Sequence, residues 1–147
     1  MSKNYFQILR AGINTTFQDL GRENLYHIGI PFSGAMDRRN YLISNRLVQN
    51  KSDSPVIEFA YQGPLMKYFG ERINVAITGD VHFTIKKKDE KFEGLCYQNY
   101  FLENGDEIDI LSTNKSVYGY FSIGGEFDLK YQWGSCSINT KANIGSN

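Results

Sequence analysis

The sequence predicts a single mainly β domain, a closed or nearly closed β-barrel carrying one short helix. Three observations lead there. Ten Tyr, ten Phe and one Trp sit among many β-branched residues with only three Pro, a mix that favours strands. About nine short apolar or alternating runs recur along the chain, separated by turn residues at regular spacing, which is the pattern of a barrel rather than of alternating β/α units. Only one stretch, 37–48, has a helical period. At 147 residues the chain fits one domain, able to bury roughly two-thirds of its unfolded surface without disulfide or metal.

YFQILR (5–10) and INTTFQ (13–18) read as strands around an Ala11-Gly12 turn. Residues 19–36 read as a long ordered loop. In the helix, Met36, Asn40, Ile43 and Leu47 fall on one face, widened by Leu42. Asp37 suits its first turn, where a carboxylate meets unpaired N–H groups and the positive dipole end. Asn50 and the polar run to Pro55 stop it. VIEFAY (56–61) and PLMKYF (64–69) flank Gln62-Gly63, and INVAIT (73–78) and VHFTIK (81–86) flank Gly79-Asp80, read as a hairpin turn. KKKDEKFE (86–93) reads as a solvated hairpin tip. LCYQNYFL (95–102), EIDILS (107–112) and VYGYFSI (117–123) complete the strands, with turns at Asn104-Gly105-Asp106 and Thr113-Asn114-Lys115. The division is a barrel over 1–138, then a polar 139–147 segment that is a tail or the start of a second barrel.

Sixteen basic residues balance sixteen acidic ones, so no long-range field draws the chain to nucleic acid or an anionic membrane. Cys96 and Cys136 are too few for a disulfide-framed fold and fit free thiols in a reducing cytoplasm. No signal pattern opens the chain, and no apolar run reaches membrane-spanning length.

The chemistry concentrates in residues 15–37, TTFQDLGRENLYHIGIPFSGAMD. Polar side chains on glycine-punctuated loops are how a scaffold presents a site. Arg22 offers a planar fork of donors for a carboxylate or phosphate. Asp19 and Asp37 would orient it, or act as bases if desolvated. Gln18 and Ser33 add hydrogen-bonding groups, and Gly21 and Gly34 let backbone N–H groups approach a ligand. The same residues equally describe turns, a helix cap and a buried salt bridge. His27 and His82 lack partners at ligand spacing, so no metal site is assigned. Met66-Lys67 echoes a biotin-accepting pair, but it falls within a strand, with Lys67 on the solvent side. No phosphate-gripping GxxxxGK[ST], dinucleotide fingerprint or Gly-X-Ser-X-Gly elbow is present.

TTFQDLGR, GIPFSGAMD and SNRLVQN resemble the signature of the KipA-like family. That family is also described as the C-type subunit of 5-oxoprolinase, as the second-subunit domain of allophanate hydrolase-type proteins, and as part of the biotin-dependent carboxyltransferase domain of urea amidolyase. Further matches follow in order at the Glu58 strand, Gln62-Gly63-Pro64, AITGD (76–80), Gly105-Asp106 and WGSCSI (133–138). The resemblance implies a cyclophilin-like barrel. It implies a KipI-like, B-type partner and a third subunit in an ATP-dependent 5-oxoprolinase that opens 5-oxoproline to glutamate, the chain being inactive alone. Two alternatives come with it: carboxyl transfer from biotin supplied in trans to urea or a similar amide, and a non-catalytic module antagonising a kinase inhibitor. In the first reading Arg22 holds a carboxylate or phosphorylated intermediate, oriented by Asp19, Gln18 and Asp37, with Ser33 and nearby N–H groups as donors. Opening an unstrained lactam needs an activated carbonyl, which suits a site rich in oxyanion donors. The sequence departs from the pattern at Gly134-Ser135-Cys136-Ser137-Ile138, where the family shows Gly-Ser-Arg-Ser-Thr, and at Glu126, where a glycine is usual.

Overall fold

The computed structural model describes residues 4–19, 35–129 and 137–141. In chain order these form β1 (Asn4–Arg10), β2 (Thr16–Gln18), α1 (Arg38–Leu47), β3 (Val56–Ala60), β4 (Leu65–Phe69), β5 (Ile73–Thr78), β6 (Val81–Lys87), β7 (Glu90–Glu93), β8 (Asn99–Leu102), β9 (Glu107–Thr113), β10 (Tyr118–Ile123), β11 (Glu126–Phe127) and β12 (Ser137–Lys141). The mainly β reading with one helix stands. β7, β11 and β12 are additional to the expected strands. β12 runs through the 138/139 division, so the sheet extends into the segment read as a polar tail.

The strands make two antiparallel sheets. One has seven strands in the order β11-β12-β1-β4-β9-β6-β7, the other five in the order β2-β3-β10-β5-β8. Among the described residues the ladders do not join into a ring, so of the closed or nearly closed barrel expected the structure shows the unclosed form, two antiparallel sheets packed face to face. Between them lies one core that includes Phe6, Ile57, Phe59, Met66, Ile77, Phe83, Ile85, Ile110 and Phe121, all at most 1% exposed. Phe6, Phe121 and Phe127 meet at edge and tilted angles, geometries that aromatic quadrupoles favour.

The Gly79-Asp80 hairpin is not formed. β5 pairs with β10 and β8, whereas β6 pairs with β9 and β7. Ile73, Val75 and Ile77 of β5 and Val81, Phe83 and Ile85 of β6 enter one core from the two different sheets, and the two-residue link turns a corner between them. Gly79 takes that corner at φ +110, and an added Cβ would lie 2.9 Å from the Tyr118 carbonyl oxygen, a conformation and space that only glycine fits. The Gln62-Gly63 link between β3 and β4 is likewise a sheet-to-sheet corner. Residues 95–98, read as the start of a strand, are irregular, with Tyr97 at φ +66. The 86–93 hairpin does form, as β6 against the wholly exposed β7.

α1 lies against β10, β5 and β3 of the five-stranded sheet. Its buried face is Tyr41, Ser44 and Asn45, with Val48 just beyond, while Met36 is 63% exposed. The stripe read from apolar spacing is therefore rotated. The buried polar side chains are bonded locally, the Ser44 hydroxyl donating to the Tyr41 carbonyl within the helix. The Ser122 hydroxyl donates to the Ser44 carbonyl at 2.8 Å, and both the Tyr41 hydroxyl and the Asn45 amide donate to the Ser54 carbonyl. Gln49 at φ +61 ends the helix. The Asn50 side chain then ties it to the Ile123 carbonyl and the Gly125 N–H.

Candidate functional site

Among the described residues, the signature segment is seen at its two ends, after β2 and before α1, which packs on the five-stranded sheet. Its flanks meet, the Ala35 N–H donating to the Asp19 carbonyl at 3.2 Å. Gln18 and Asp19 are buried, at 5% and 2% exposure, and the Gln18 amide donates to the Thr16 hydroxyl. Asp37 is the N-cap of α1. One carboxylate oxygen accepts from the Asn40 N–H at 3.1 Å and the other from the Asn40 side-chain amide at 2.7 Å. The structure thus places Gln18 and Asp19 at one end of the loop and Asp37 at the other, the two ends joined by the Ala35–Asp19 bond. Gly21, Arg22, Ser33 and Gly34 lie outside the described residues.

Beneath the returning end sits a carboxylate to which residue type alone assigns no role. Glu58, in the middle of β3, is 5% exposed. Its Oε2 accepts from the Tyr120 hydroxyl at 2.6 Å and from the Met36 N–H at 2.9 Å. Tyr120, fully buried on β10, in turn accepts from the Asp37 N–H at 2.7 Å. Burial, and then the hydrogen bond to Glu58, push the Tyr120 phenol far above its usual range, so it stays a neutral donor at any working pH. Glu58, Tyr120 and the Met36-Asp37 backbone form a clamp on the loop. The available signal was one carboxylate inside a strand whose five positions are all buried: a charge placed there is paired or hydrogen-bonded for a reason.

Asn40 carries this network across α1's first turn. Its Oδ1 accepts from the Tyr97 hydroxyl at 2.6 Å, and its carbonyl accepts from the Thr78 hydroxyl at 2.8 Å. The Gly79 N–H donates to the Tyr97 oxygen at 3.2 Å. Here a cleft of about 780 Å³ opens. It is lined from α1 by Asn40, from the β5–β6 corner by Asp80, from the approach to β8 by Cys96 and Tyr97, and from the β9–β10 loop by Lys115 and Ser116. His82 Nδ1 and a Glu93 oxygen lie 3.8 Å apart at its edge. The Cys96 thiol donates to the Val81 carbonyl at 3.3 Å. Burial, and with it the charge of Asp80, raises its pKa, and a thiol held protonated is a poor nucleophile. Among the described residues, no three His, Cys, Asp or Glu side chains converge as a metal site, and no helix is long and apolar enough to cross a membrane.

Comparison with known proteins fits this arrangement. A family profile described as carboxyltransferase domain, subdomain A and B, matches residues 28–147. The C-type subunit of the Haemophilus influenzae 5-oxoprolinase is 30% identical over 138 residues, covering 94% of this chain and 43% of that protein. The urea amidolyase of Lachancea kluyveri is 32% identical over 143 residues, covering 95% of this chain and 8% of that protein. The crystal structure of the K. lactis urea amidolyase matches with a TM-score of 0.72 at 30% identity, over 87% of this chain and 8% of that one. The chain therefore spans less than half the length of each of these relatives. The profile extends over all of α1 and the cleft-lining segments, and on that extent the chain belongs to the carboxyltransferase domain, subdomain A and B, family.

Proposed function

We propose that this chain is part of the C-type component of an ATP-dependent 5-oxoprolinase, opening 5-oxoproline to glutamate. The observation that carries the reading is the match to the C-type 5-oxoprolinase component along 94% of the chain, on a fold that clamps both ends of the signature segment. Arg22 holds the substrate carboxylate or a phosphorylated intermediate. Asp19 and Gln18 orient it, and Ser33 with the Gly21 and Gly34 N–H groups donates to developing oxyanions. Both Asp37 oxygens are engaged by Asn40, so its part is to set the loop's exit. With the Asn40 N–H taken by Asp37, the first turn of α1 is not offered to a phosphate, and the nucleotide comes through the assembly with a KipI-like, B-type protein and a third subunit, in the cytoplasm.

The test is ATP-dependent release of glutamate from 5-oxoproline after adding those two proteins. Arg22→Ala is expected to lower turnover by about 100-fold or more, the scale of one lost oxyanion-stabilising group. Unchanged turnover removes Arg22 from the mechanism.

A second reading, carboxyl transfer to urea or a similar amide with biotin supplied in trans, is favoured by the family profile and by the urea amidolyase match. Urea-dependent turnover with a carboxylated biotin carrier, and none with 5-oxoproline, would select it. These relatives lend no support to the kinase-inhibitor antagonist.

A further inference from the structure

We infer that the cleft beside α1's first turn is a binding site for a small molecule carrying both a carboxylate and an N–H group, an amino acid or a lactam acid, gripped between Lys115 and Asp80. The inference deepens the 5-oxoprolinase reading, on which it rests, since the substrate and product of that reaction both belong to this class.

The lining provides the opposed charges. His82 and Glu93 face each other at the edge, which leaves Asp80 and Lys115. Their backbones are fixed side by side. The Lys115 N–H donates to Asp80 Oδ2 at 3.0 Å, the Asn114 N–H to the Asp80 carbonyl at 2.7 Å, and the Asp80 N–H to the Ser116 hydroxyl at 3.0 Å. Three bonds lock the β5–β6 corner to the β9–β10 loop, so an ammonium-bearing and a carboxylate-bearing residue are presented on adjoining walls. Among the described residues the Lys115 ammonium forms no salt bridge. A ligand with a carboxylate for Lys115 and an N–H for Asp80 completes both at once, which leaves Arg22 the phosphorylated intermediate. A dicarboxylate without an N–H group, or a dication, would satisfy one and repel the other, and a neutral amide such as urea leaves Lys115 without an anion.

Tyr97 supports the ligand reading independently. It is a bulky residue held at φ +66, a conformation that costs energy in a non-glycine residue and collects at ligand-binding positions. Its N–H donates to the Ile77 carbonyl and its hydroxyl to Asn40, so its ring is fixed at the cleft rim. Through Asn40 and Asp37 the rim is two hydrogen bonds from the signature loop. Ligand contact here reaches the proposed substrate-holding segment without any wider rearrangement.

Cys96 makes the site readable. Its alkylation by iodoacetamide in the full chain is run near pH ~9, so that a raised thiol still reacts. Peptide mass spectrometry follows it and separates it from Cys136. L-5-oxoproline and L-glutamate are expected to slow Cys96 alkylation in a saturable way, with urea inert. Lys115→Ala is expected to weaken protection roughly three- to tenfold, because both charges are exposed and worth little singly. Asp80→Asn, which keeps the acceptor for the Lys115 N–H, should weaken it similarly. Protection unchanged in both variants overturns the grip, protection by urea alone overturns the ligand class, and no protection at saturating ligand overturns the site. The reading beneath it fails separately. Glutamate release by the assembled complex without Cys96 protection sinks the cleft and not the function, whereas protection without any ATP-dependent release sinks the function and not the cleft.

Discussion

Removing the Tyr120 hydroxyl tests the clamp most directly. In Tyr120→Phe the ring still fills its fully buried position, so no cavity forms and only hydrogen bonds are lost. One is the 2.6 Å bond to the Glu58 carboxylate and the other the 2.7 Å bond from the Asp37 N–H. A hydrogen bond to a charged group contributes about 1.5–3 kcal/mol, a neutral one about 1. The loss should be about 2–4 kcal/mol, since Glu58 keeps only the Met36 N–H at that oxygen. Guanidinium chloride unfolding, followed by Trp133 fluorescence and far-UV circular dichroism, measures it; urea is avoided because it is a candidate ligand. With a slope of roughly 2–6 kcal/mol per molar, the midpoint falls by about 0.3–2 M at unchanged slope. The double variant with Glu58→Ala should be less destabilised than the sum of the singles by at least about 1 kcal/mol, because the partners are in direct contact. Strict additivity, or a Tyr120→Phe midpoint equal to wild type, would refute the clamp.

Three other outcomes follow from the same geometry. Gly79→Ala forces a Cβ to within 2.9 Å of the Tyr118 carbonyl oxygen at φ +110; the midpoint of thermal unfolding should fall by roughly 5–10 °C, the equivalent of about 2–3 kcal/mol of backbone strain. Asp37→Ala removes the helix cap and should cost about 1 kcal/mol, while Asp37→Asn, which still accepts from the Asn40 N–H, should retain most of that stability and any turnover. Burial, and then Glu71, push the fully buried Tyr68 phenol up to about 12. A raised pKa means the folded state holds this proton more tightly than the unfolded one. The contribution is therefore intact below about pH 10 and is lost between about pH 10 and about 12; near pH ~12 the wild type should have lost about 2 kcal/mol that Tyr68→Phe does not lose.

Strand identity was legible because alternation is written in residue type. Ile73-Asn74-Val75 and Val81-His82-Phe83 announce their inward sets. Sheet membership was not, because a two-residue link is the same local sequence whether it folds strands back on each other or turns between layers. Only the pairing partners, β10 and β8 for β5 and β9 and β7 for β6, separate the cases. The helix face was misjudged for a related reason: apolar spacing is blind to Ser44 and Asn45, whose burial depends on partners such as Ser54 and Ser122, well beyond the helix itself. At the site, Gln18, Asp19 and Asp37 were legible as residue types in a glycine-rich run. Glu58 and Tyr120 were not, because they become partners only when β3 and β10 pair with Tyr120 opposite Glu58. The cleft was less visible still, being assembled from α1, a corner, an irregular approach and a distant loop.

The place of β1 has a consequence for the order in which the molecule is made. β1 is the first strand of the described chain, yet it lies inside the seven-stranded sheet, between β12 and β4. Phe6 faces Tyr68 on one side and Ile138 on the other. During synthesis β1 gains β4 early, but its other flank stays open until residues 137–141 emerge. Throughout that interval an aromatic-rich strand offers unpaired backbone groups to any neighbour, which is the exposure that invites intermolecular pairing. Closing β1 against β12 is also one of the longest-range pairings among the described residues, so folding should be slow for a domain of this size. The last described strand to leave the ribosome is the one that ends the vulnerability of the first.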